Sequence, residues 1–244
     1  MDTSTAYKIK TYNAIAPAGL QRFDSGDYAV GPELEGADAM LLRSHKLSVD
    51  ELMPGLRAIA RAGAGVNNVP VEACSQAGIV VFNTPGANAN SVKELVLTAL
   101  LLASRDVIGG INYVRSLADV CDGAELNKLV EAEKKKFKGR ELIGKTLGVV
   151  GLGAIGSMVA RAALDLGMDV LGYDPALSVD AAWRLPSSVE RMDNLPSLFA
   201  RADYVTLHVP QLPATEGMIN AETLQAFKPG SVLLNFARQP VVDT

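Results

Sequence analysis

Short apolar runs separated by mixed segments organise the N-terminal part of the chain. Runs at 39–42, 58–62 and 79–82 predict strands, and the segment 71–76 predicts a helix that stops before Gly78. A glycine just past a helix end favours termination, because it adopts a left-handed backbone without strain. Strands that alternate with helices indicate a parallel sheet in an α/β fold.

The middle of the chain is more helical. Residues 91–105 predict a long helix that is apolar on almost every side, which is typical of a helix buried between domains or in a subunit interface. A second helix is predicted over 107–117. The polar stretch 125–140 follows, and its lysine run is expected to face solvent. That run comprises Lys134, Lys135, Lys136 and Lys138.

A glycine-rich turn follows the next apolar run, at 147–150. Gly151, Gly153 and Gly156 have the G-x-G-x-x-G spacing, an amphipathic segment comes next, and a second apolar run ends in Asp174. Strand, turn, helix, strand and acid in this order are typical of a dinucleotide site.

Each of these residues has a physical task in such a site. Gly151 permits a tight turn, Gly153 lets the backbone approach a pyrophosphate, and Gly156 lets the helix pack closely on the strand. The free N–H groups and the dipole at the helix start favour the phosphate charge. Asp174 accepts hydrogen bonds from a ribose diol and repels a 2′-phosphate, so the motif predicts NAD as the cofactor.

The rest of the pattern completes a second α/β unit. A helix is predicted at 195–201, and strands are predicted at 204–208 and 231–235. The two units are predicted to span 1–88 and 89–244. The second unit is expected to hold the nucleotide, and the first to supply most of the substrate contacts in a cleft between them.

Composition favours a globular enzyme. With 48% hydrophobic residues among 244, the chain can build a core, while a net charge of −4 and a pI near 5.3 argue against nucleic acid as a partner. The longest apolar stretch, 95–103, is too short to span a bilayer, and the N-terminus has no apolar signal core. Cys74 and Cys121 form no C-x-x-C pair, no metal site is predicted, and a reduced, cytoplasmic setting is expected.

Several motifs together resemble a known family. They are LLRSHKL, RAGAGVNNV, VVFNTPGANANSVKEL, GKTLGVVGLGAIG, GYDP, LHVPQLPATEGMIN and LLNFARQPVVD. The chain resembles the D-isomer-specific 2-hydroxyacid dehydrogenases over nearly its whole length, most closely the members that act on D-3-phosphoglycerate. The resemblance implies a Rossmann NAD-binding domain and a flavodoxin-like substrate-binding domain, with a completing C-terminal segment beyond Thr244.

The family's reaction is reversible hydride transfer between a 2-hydroxy acid and NAD. An arginine binds the substrate carboxylate and polarises the reacting oxygen, and a histidine oriented by a glutamate exchanges the proton. The resemblance assigns the catalytic arginine to Arg238, although Gln239 stands where the family has glycine. Neither His45 nor His208 matches the catalytic histidine, because its position and that of the glutamate lie beyond Thr244. The 244 residues alone are therefore expected to show no appreciable turnover.

The resemblance also assigns residues to the cofactor. Ala154 and Ile155 complete the phosphate turn, and Pro175 follows the ribose acid. The walls of the cofactor site are His208, Val209, Pro210, Thr215, Phe236, Ala237 and Arg238.

A turn of small residues is the main candidate on the substrate side, because successive backbone N–H groups there form a nest suited to a carboxylate. The turn contains Ala64, Gly65 and Val66. By resemblance, Arg43 reaches the substrate phosphate. Asn90 and Lys93 lie at the start of the long helix, where an anion is favoured, but an exposed helix lysine is an equally ordinary interpretation of Lys93.

Three functions follow as hypotheses. The leading one is NAD-dependent oxidation of D-3-phosphoglycerate to 3-phosphohydroxypyruvate, at the entry to serine synthesis. The same chemistry on glyoxylate, hydroxypyruvate or another 2-hydroxy acid is a close alternative, and a corepressor-type module that senses NAD belongs to a different class. A two-fold homodimer through the NAD-binding domain is expected, since the helix over 91–105 is too apolar to lie in water.

Overall fold

A computed structural model describes residues 7–13, 15–120, 122–183 and 185–243, so Cys121 lies outside the described residues. The chain divides into two compact units, Met1–Asn88 and Ala89–Thr244. In their described parts, each unit contains one five-stranded sheet whose strands all pair in parallel, with helices alternating along the chain. The predicted α/β class is confirmed.

The first unit has the strand order β2-β1-β3-β4-β5, which is the flavodoxin-like order that the resemblance implied. Its elements are β1 (Tyr7–Thr11), α1 (Pro17–Leu20), β2 (Tyr28–Gly31), β3 (Ala39–Leu42), a 3₁₀ turn (Val49–Glu51), β4 (Ala58–Arg61), α2 (Val71–Gln76) and β5 (Val80–Phe82). Met40, Leu42, Ile59 and Cys74 are buried in its core. Burial raises the pKa of the Cys74 thiol, consistent with a structural role.

The apolar runs predicted β3, β4, β5 and α2, but β1 and β2 were missed. Strand β1 reads YKIKT and buries only alternate residues, Ile9 and Thr11. Strand β2 reads YAVG and pairs with one neighbour at the sheet edge. Edge strands and strands with one solvated face lack a continuous apolar run, which explains why the pattern did not show them.

The second unit has the strand order β10-β9-β6-β7-β8, the Rossmann order with β6 at the centre. Its helices are α3 (Ala89–Ser104), α4 (Val107–Ser116), α5 (Gly123–Glu133), α6 (Ala154–Asp165), α7 (Val179–Ala182) and α8 (Leu195–Arg201). Its strands are β6 (Thr146–Val150), β7 (Asp169–Tyr173), β8 (Val189–Arg191), β9 (Tyr204–Leu207) and β10 (Val232–Asn235). Further 3₁₀ turns cover Lys134–Phe137, Thr223–Ala226 and Gln239–Val241.

Strand β6 is buried on both faces, which explains its continuous apolar run. Leu147 and Val149 belong to the core cluster that includes residues of α3 and α6. Val150 belongs to the cluster on the other face, which contains residues of α8. Gly148 also faces α8 at close range, since a Cβ there would lie 2.4 Å from a methyl carbon of Leu198.

Helix α3 is less buried within the chain than its sequence predicted. Val96 and Leu100 are buried on the side that packs against α6, but Leu95 is 57% exposed. Other exposed apolar side chains on α3 and α4 are Leu101, Leu102, Val107, Ile108, Ile111 and Val114. Within the second unit, α3 is therefore not covered on most sides, and the homodimer stays a prediction.

The lysine run faces solvent, as predicted. Lys134 pairs with Glu131 and Lys136 with Glu133, three residues apart along the chain, and these side chains remain well hydrated. Helix α5, which precedes the run, was not predicted from its polar sequence. Its N-cap is Asp122, whose Oδ1 accepts the N–H groups of residues 124 and 125 at 2.7 and 2.9 Å. No helix in the described ranges is long and apolar enough to cross a membrane.

We expect Gly156→Ala to destabilise the second unit by about 2–3 kcal/mol. A Cβ at Gly156 would lie 1.9 Å from the carbonyl oxygen of Gly151, so backbone must move to admit it. Gly110→Ala is the matched control, because Gly110 is also inside a helix and its added Cβ would meet nothing closer than 4.0 Å. Urea unfolding should show Gly110→Ala neutral or slightly stabilising, and equal effects of both changes would refute the account.

Candidate functional site

The turn after β6 brings the carboxyl ends of three strands together. Gly151 has φ +90°, and a Cβ there would lie 2.9 Å from the carbonyl carbon and oxygen of His208, which follows β9. The Gly151 N–H donates to the carbonyl oxygen of Tyr173, at the end of β7, at 2.9 Å. Only glycine fits both the backbone conformation and the contact. The turn lies between β6 and β9, the switch point at which open α/β sheets bind ligands.

Helix α6 presents free donors at this point. Its first intrahelical bond runs from the N–H of Ser157 to the carbonyl of Gly153. The N–H groups of Ala154, Ile155 and Gly156 have no acceptor within the described part of the chain. An added Cβ at Gly153 would meet no atom within 4 Å, so the turn is open on that side. Free N–H groups, the helix dipole and open space form a cradle for an anion such as a pyrophosphate.

Asp174 ties the glycine turn to the end of β7. Its Oδ2 accepts the N–H of Leu152 at 2.8 Å, and its Oδ1 accepts the N–H of Ala176 at 3.0 Å. Each carboxylate oxygen keeps a second acceptor site, which a ribose hydroxyl can use. Pro175, which lies between Asp174 and Ala176 in the sequence, is exposed. The predicted ribose acid is thus held in place by backbone before any ligand binds.

A cavity of about 930 Å³ opens beside Asp174. Its lining is mostly apolar and comes from β7, β8 and the segment that joins them. The apolar walls include Leu152, Leu177, Val179, Trp183, Leu185, Pro186, Val189 and Met192, and Arg191 and Asp193 lie at the rim. The sequence motif did not reveal these residues, because the joining segment has no fixed spacing from Asp174.

His208 is a neutral, largely buried wall next to the turn. The backbone N–H of His208 donates to the carbonyl of Val150 at 2.8 Å, and the ring Nε2 lies 3.0 Å from Oγ1 of Thr206. Burial lowers the pKa of His208 from 6.5 to about 4, so the ring is uncharged at neutral pH. Its Nδ1 is buried with no partner among the described residues, and its ring lies roughly parallel to that of Phe236 at 6.4 Å between centroids.

Thr215 uses its hydroxyl to close the loop after β9. Its Oγ1 donates to the carbonyl of Pro210 at 2.7 Å and accepts the N–H of Leu212 at 2.9 Å. Val209, between His208 and Pro210, packs against the core cluster on the α8 face. In this structure, Thr215 therefore shapes the loop that follows His208, and its predicted contact with the cofactor stays a prediction.

Arg238 follows β10 with its guanidinium in solvent. Its Nη1 donates to the carbonyl of Ala237 at 2.8 Å, and no acidic side chain lies within ion-pair distance in the described ranges. Asn235 braces the loop by donating to the carbonyl of Arg238 at 3.1 Å and accepting the N–H of Ala237 at 3.0 Å. Gln239 begins a 3₁₀ turn without a positive φ, so the loop here does not need the glycine that the family carries.

In the first unit, the predicted nest has the expected polarity. The N–H groups of Ala64, Gly65 and Val66 have no acceptor among the described residues. Two of their carbonyls accept side-chain hydrogen bonds. Nη1 of Arg61 donates to the carbonyl of Gly65 at 2.5 Å, and Nδ2 of Asn83 donates to that of Ala64 at 2.7 Å. The turn therefore offers three donors to an incoming anion.

Arg43 lies at the same edge of the first sheet. It follows β3, is exposed, and its carbonyl accepts Nε of Arg61 at 3.1 Å. Strands β1 and β3 are neighbours at this sheet's switch point, where Oδ1 of Asn13 accepts the N–H of His45 at 2.6 Å. His45 stacks on Tyr12, with 4.3 Å between ring centroids, and its Nε2 lies 2.8 Å from Oε1 of Glu51. Its ring is therefore engaged by neighbouring side chains of the first unit.

Asn90 and Lys93 belong to α3 in the second unit, and their side chains are already engaged. Nζ of Lys93 donates to Oδ1 of Asn90 at 2.7 Å, and Nδ2 of Asn90 donates to Glu94 at 2.8 Å. The helix begins at Ala89, so both residues lie in its first turns as predicted. The nearby carboxylate of Glu94 makes this turn less favourable for an anion than the sequence suggested.

Comparison with known proteins decides the family. Residues 107–244 match the model described as D-isomer specific 2-hydroxyacid dehydrogenase, NAD binding domain. The chain belongs to this family. The match confirms both the resemblance and NAD as the cofactor predicted from the glycine turn and Asp174.

Individual dehydrogenases of the family show how far the similarity extends. The chain is 38% identical over 214 residues to a D-3-phosphoglycerate dehydrogenase of Methanocaldococcus jannaschii, covering 86% of this chain and 38% of that protein. It is 39% identical over 209 residues to a hydroxypyruvate reductase of Thermotoga maritima, covering 84% and 62%. NAD⁺-bound 3-phosphoglycerate dehydrogenase of Entamoeba histolytica superposes with a TM-score of 0.72 at 26% identity, over 98% of this chain and 74% of that one. The chain thus spans less than two thirds of the length of the first two relatives.

His208 should make the stability of this chain depend on pH. Because an unfolded chain protonates this histidine with its ordinary pKa of 6.5 and the folded chain does so only near 4, unfolding takes up a proton between those values. The contribution of the neutral His208 ring to the free energy of unfolding is therefore complete above pH 6.5 and is lost as the pH falls to about 4. This loss is on the order of 2–3 kcal/mol.

Urea unfolding of the wild type and of His208→Asn across this range measures the effect. The wild type should lose more stability than the variant as the pH falls, because every other titratable group is common to the two proteins. Parallel pH profiles for the two proteins would show that His208 is not held neutral by the fold.

Proposed function

We propose that this chain provides the NAD site and part of the substrate site of a dehydrogenase that oxidises D-3-phosphoglycerate to 3-phosphohydroxypyruvate. The second unit, 89–244, would act as the NAD-binding domain and the first, 1–88, as part of the substrate-binding domain. The observation that carries the proposal is the exposed Arg238 guanidinium, which has no acidic partner in the described ranges and follows a strand of the NAD-binding sheet. A charged group kept free at such an edge is available for a substrate anion.

The residues of the second unit fit the cofactor. The free N–H groups at the start of α6 face the open side of Gly153, where a pyrophosphate needs donors and space. Asp174 keeps acceptor capacity for a ribose diol. His208, uncharged and largely buried, adds no positive charge near the turn. When bound, NAD supplies the acceptor for the hydride that leaves the hydroxyl-bearing carbon of the substrate.

Arg238 would hold the substrate carboxylate and polarise the reacting oxygen. A guanidinium has five N–H donors in a planar fork, and among the described residues only Nη1 of Arg238 has an acceptor, the carbonyl of Ala237. The remaining donors can form two parallel bonds to a carboxylate. Asn235 fixes the backbone on both sides of Ala237, which limits the motion of the loop that carries the charge.

A phosphorylated substrate is supported by the first unit. Three free N–H groups in the turn 64–66 suit a carboxylate, and the exposed Arg43 at the same sheet edge offers a charge for a second anionic group. The engagement of Lys93 with Asn90, next to Glu94, removes one of the two cations that favoured a phosphate. That observation keeps a non-phosphorylated 2-hydroxy acid, such as the hydroxy-acid partner of glyoxylate or hydroxypyruvate, as the alternative substrate.

Calorimetric titration of this chain should show NAD binding at least about tenfold more tightly than NADP. A charge-assisted hydrogen bond contributes about 1.5–3 kcal/mol, and the Asp174 carboxylate also repels a 2′-phosphate. Asp174→Asn should narrow the preference, since it removes the charge and keeps an oxygen that can accept the Leu152 N–H. Equal affinities of the wild type for the two cofactors would contradict this role of Asp174.

In the full-length protein, Arg238→Ala should lower kcat/KM for D-3-phosphoglycerate on the order of a thousandfold, because a charged donor pair to substrate and transition state is lost. Arg238→Lys should recover only part of the activity, since an ammonium lacks the planar fork. The affinity for NAD should stay nearly unchanged in both variants.

Arg22→Ala, at an exposed arginine of the first unit, is the control and should leave kcat/KM unchanged. D-Glycerate, assayed in parallel, tests the substrate. Faster oxidation of D-glycerate than of D-3-phosphoglycerate would refute the phosphorylated substrate, and full activity of Arg238→Ala would refute the catalytic assignment.

A further inference from the structure

Trp183 is the only tryptophan in the chain and is 83% exposed, although it lines the cavity beside Asp174. Single exposed apolar side chains are ordinary on protein surfaces. This one differs because it adjoins a ligand-sized cavity with apolar walls, and Val179, at the start of the short helix that Trp183 follows, is also exposed. A flat aromatic face at the edge of such a cavity is suited to a flat partner.

We propose that Trp183 is a cofactor-binding residue that stacks on the adenine of NAD and closes its pocket. The proposal rests on the proposed function, since it assigns this cavity to the adenosine half of the cofactor. It adds a contact that the glycine turn and Asp174 do not supply.

The position of Asp174 directs the base towards this cavity. If the ribose binds the Asp174 carboxylate, the base attached to that ribose must lie within one sugar's reach of it, and Asp174 itself lines the cavity. The neighbouring walls Leu177, Leu185 and Val189 offer apolar surface to a base, while the polar lining side chains Arg191 and Asp193 are almost fully exposed at the rim. Stacking is then the main interaction that the site can add, and a base presents a π-face to an aromatic ring.

The segment that carries Trp183 is anchored by its backbone. Oγ of Ser178 accepts the N–H of Ala181 at 3.2 Å and starts helix α7. The N–H of Trp183 donates to the carbonyl of Val179 at 3.0 Å, and that of Leu185 donates to the carbonyl of Ala182 at 3.1 Å. With the main chain held, binding needs to fix only the two side-chain torsions of the indole, which keeps the entropic cost small.

Arg191 is the competing candidate at the same rim. Its Nε lies 3.8 Å from Oδ1 of Asp193, and both side chains are almost fully exposed. A guanidinium can also stack on a base, but Arg191 has a carboxylate beside it and a long side chain to order. The indole is the larger and stiffer surface, so the structure favours Trp183.

The fluorescence of the single tryptophan provides a direct test on the 244-residue chain. NAD, AMP and nicotinamide mononucleotide are titrated while the indole is excited at the red edge of its band, where adenine does not absorb. We expect NAD and AMP to change the emission and nicotinamide mononucleotide to leave it unchanged. Calorimetry should show that Trp183→Ala weakens NAD and AMP binding about tenfold or more, and that Trp183→Phe weakens them less.

Leu224→Ala is the matched control, because Leu224 is an exposed apolar side chain of the same unit that does not line the cavity. It should bind NAD like the wild type. The proposal is overturned if NAD binds wild type and Trp183→Ala equally, or if the loss appears in Arg191→Ala and not in Trp183→Ala; either result leaves NAD binding intact. A chain that binds neither NAD nor AMP overturns the proposed function as well.

Discussion

The backbone of helix α6 rests on the backbone of the turn that precedes it, and the nucleotide edge of the second unit depends on that contact. Nothing larger than hydrogen fits at Gly156 against the Gly151 carbonyl, or at Gly151 against His208. The two contacts fix where α6 begins relative to the ends of β6 and β9. The free amides of α6, the Asp174 carboxylate and the neutral His208 ring all take their positions from this arrangement. Gly151 and Gly156 therefore fix the geometry of a site in which other residues supply the polar and charged groups.

Where hydrophobic burial on two faces shapes the sequence, the fold could be predicted. Strand β6 is buried on both sides, and its apolar run located it within one residue. Strand β1 buries only Ile9 and Thr11, which alternate with Lys8 and Lys10, so its pattern was too weak to be recognised. Helix α3 failed in the opposite sense. Its apolar sequence predicted burial on most sides, but within the second unit only the side that packs against α6 is buried, because an apolar pattern does not specify which surface covers it.

The candidate site divides in the same way. Residues whose task follows from fixed spacing, such as the three glycines and Asp174, could be placed from the sequence alone. The residues of the cavity could not, because Trp183 and Leu177 lie on a connection whose path is set by packing rather than by a motif. The sequence allowed Lys93 to be interpreted as a free cation, but the structure shows that its ammonium donates a hydrogen bond to Asn90. Gln239 raised a doubt about the Arg238 loop that only backbone angles could answer.

The two hydrogen bonds that backbone N–H groups donate to Asp174 also limit which substitutions at this position could change the cofactor preference. The carboxylate fixes the shape of the glycine turn through the Leu152 and Ala176 N–H groups, and in the proposed site it would also bind the ribose. A change to alanine at this position would leave two donors without acceptors as well as altering recognition. The selectable alternatives are thus confined to side chains that still carry an acceptor at the right reach, such as asparagine or serine. If Asp174 sets the cofactor preference as proposed, a substitution that changes this preference must also preserve the hydrogen bonds that hold the glycine turn.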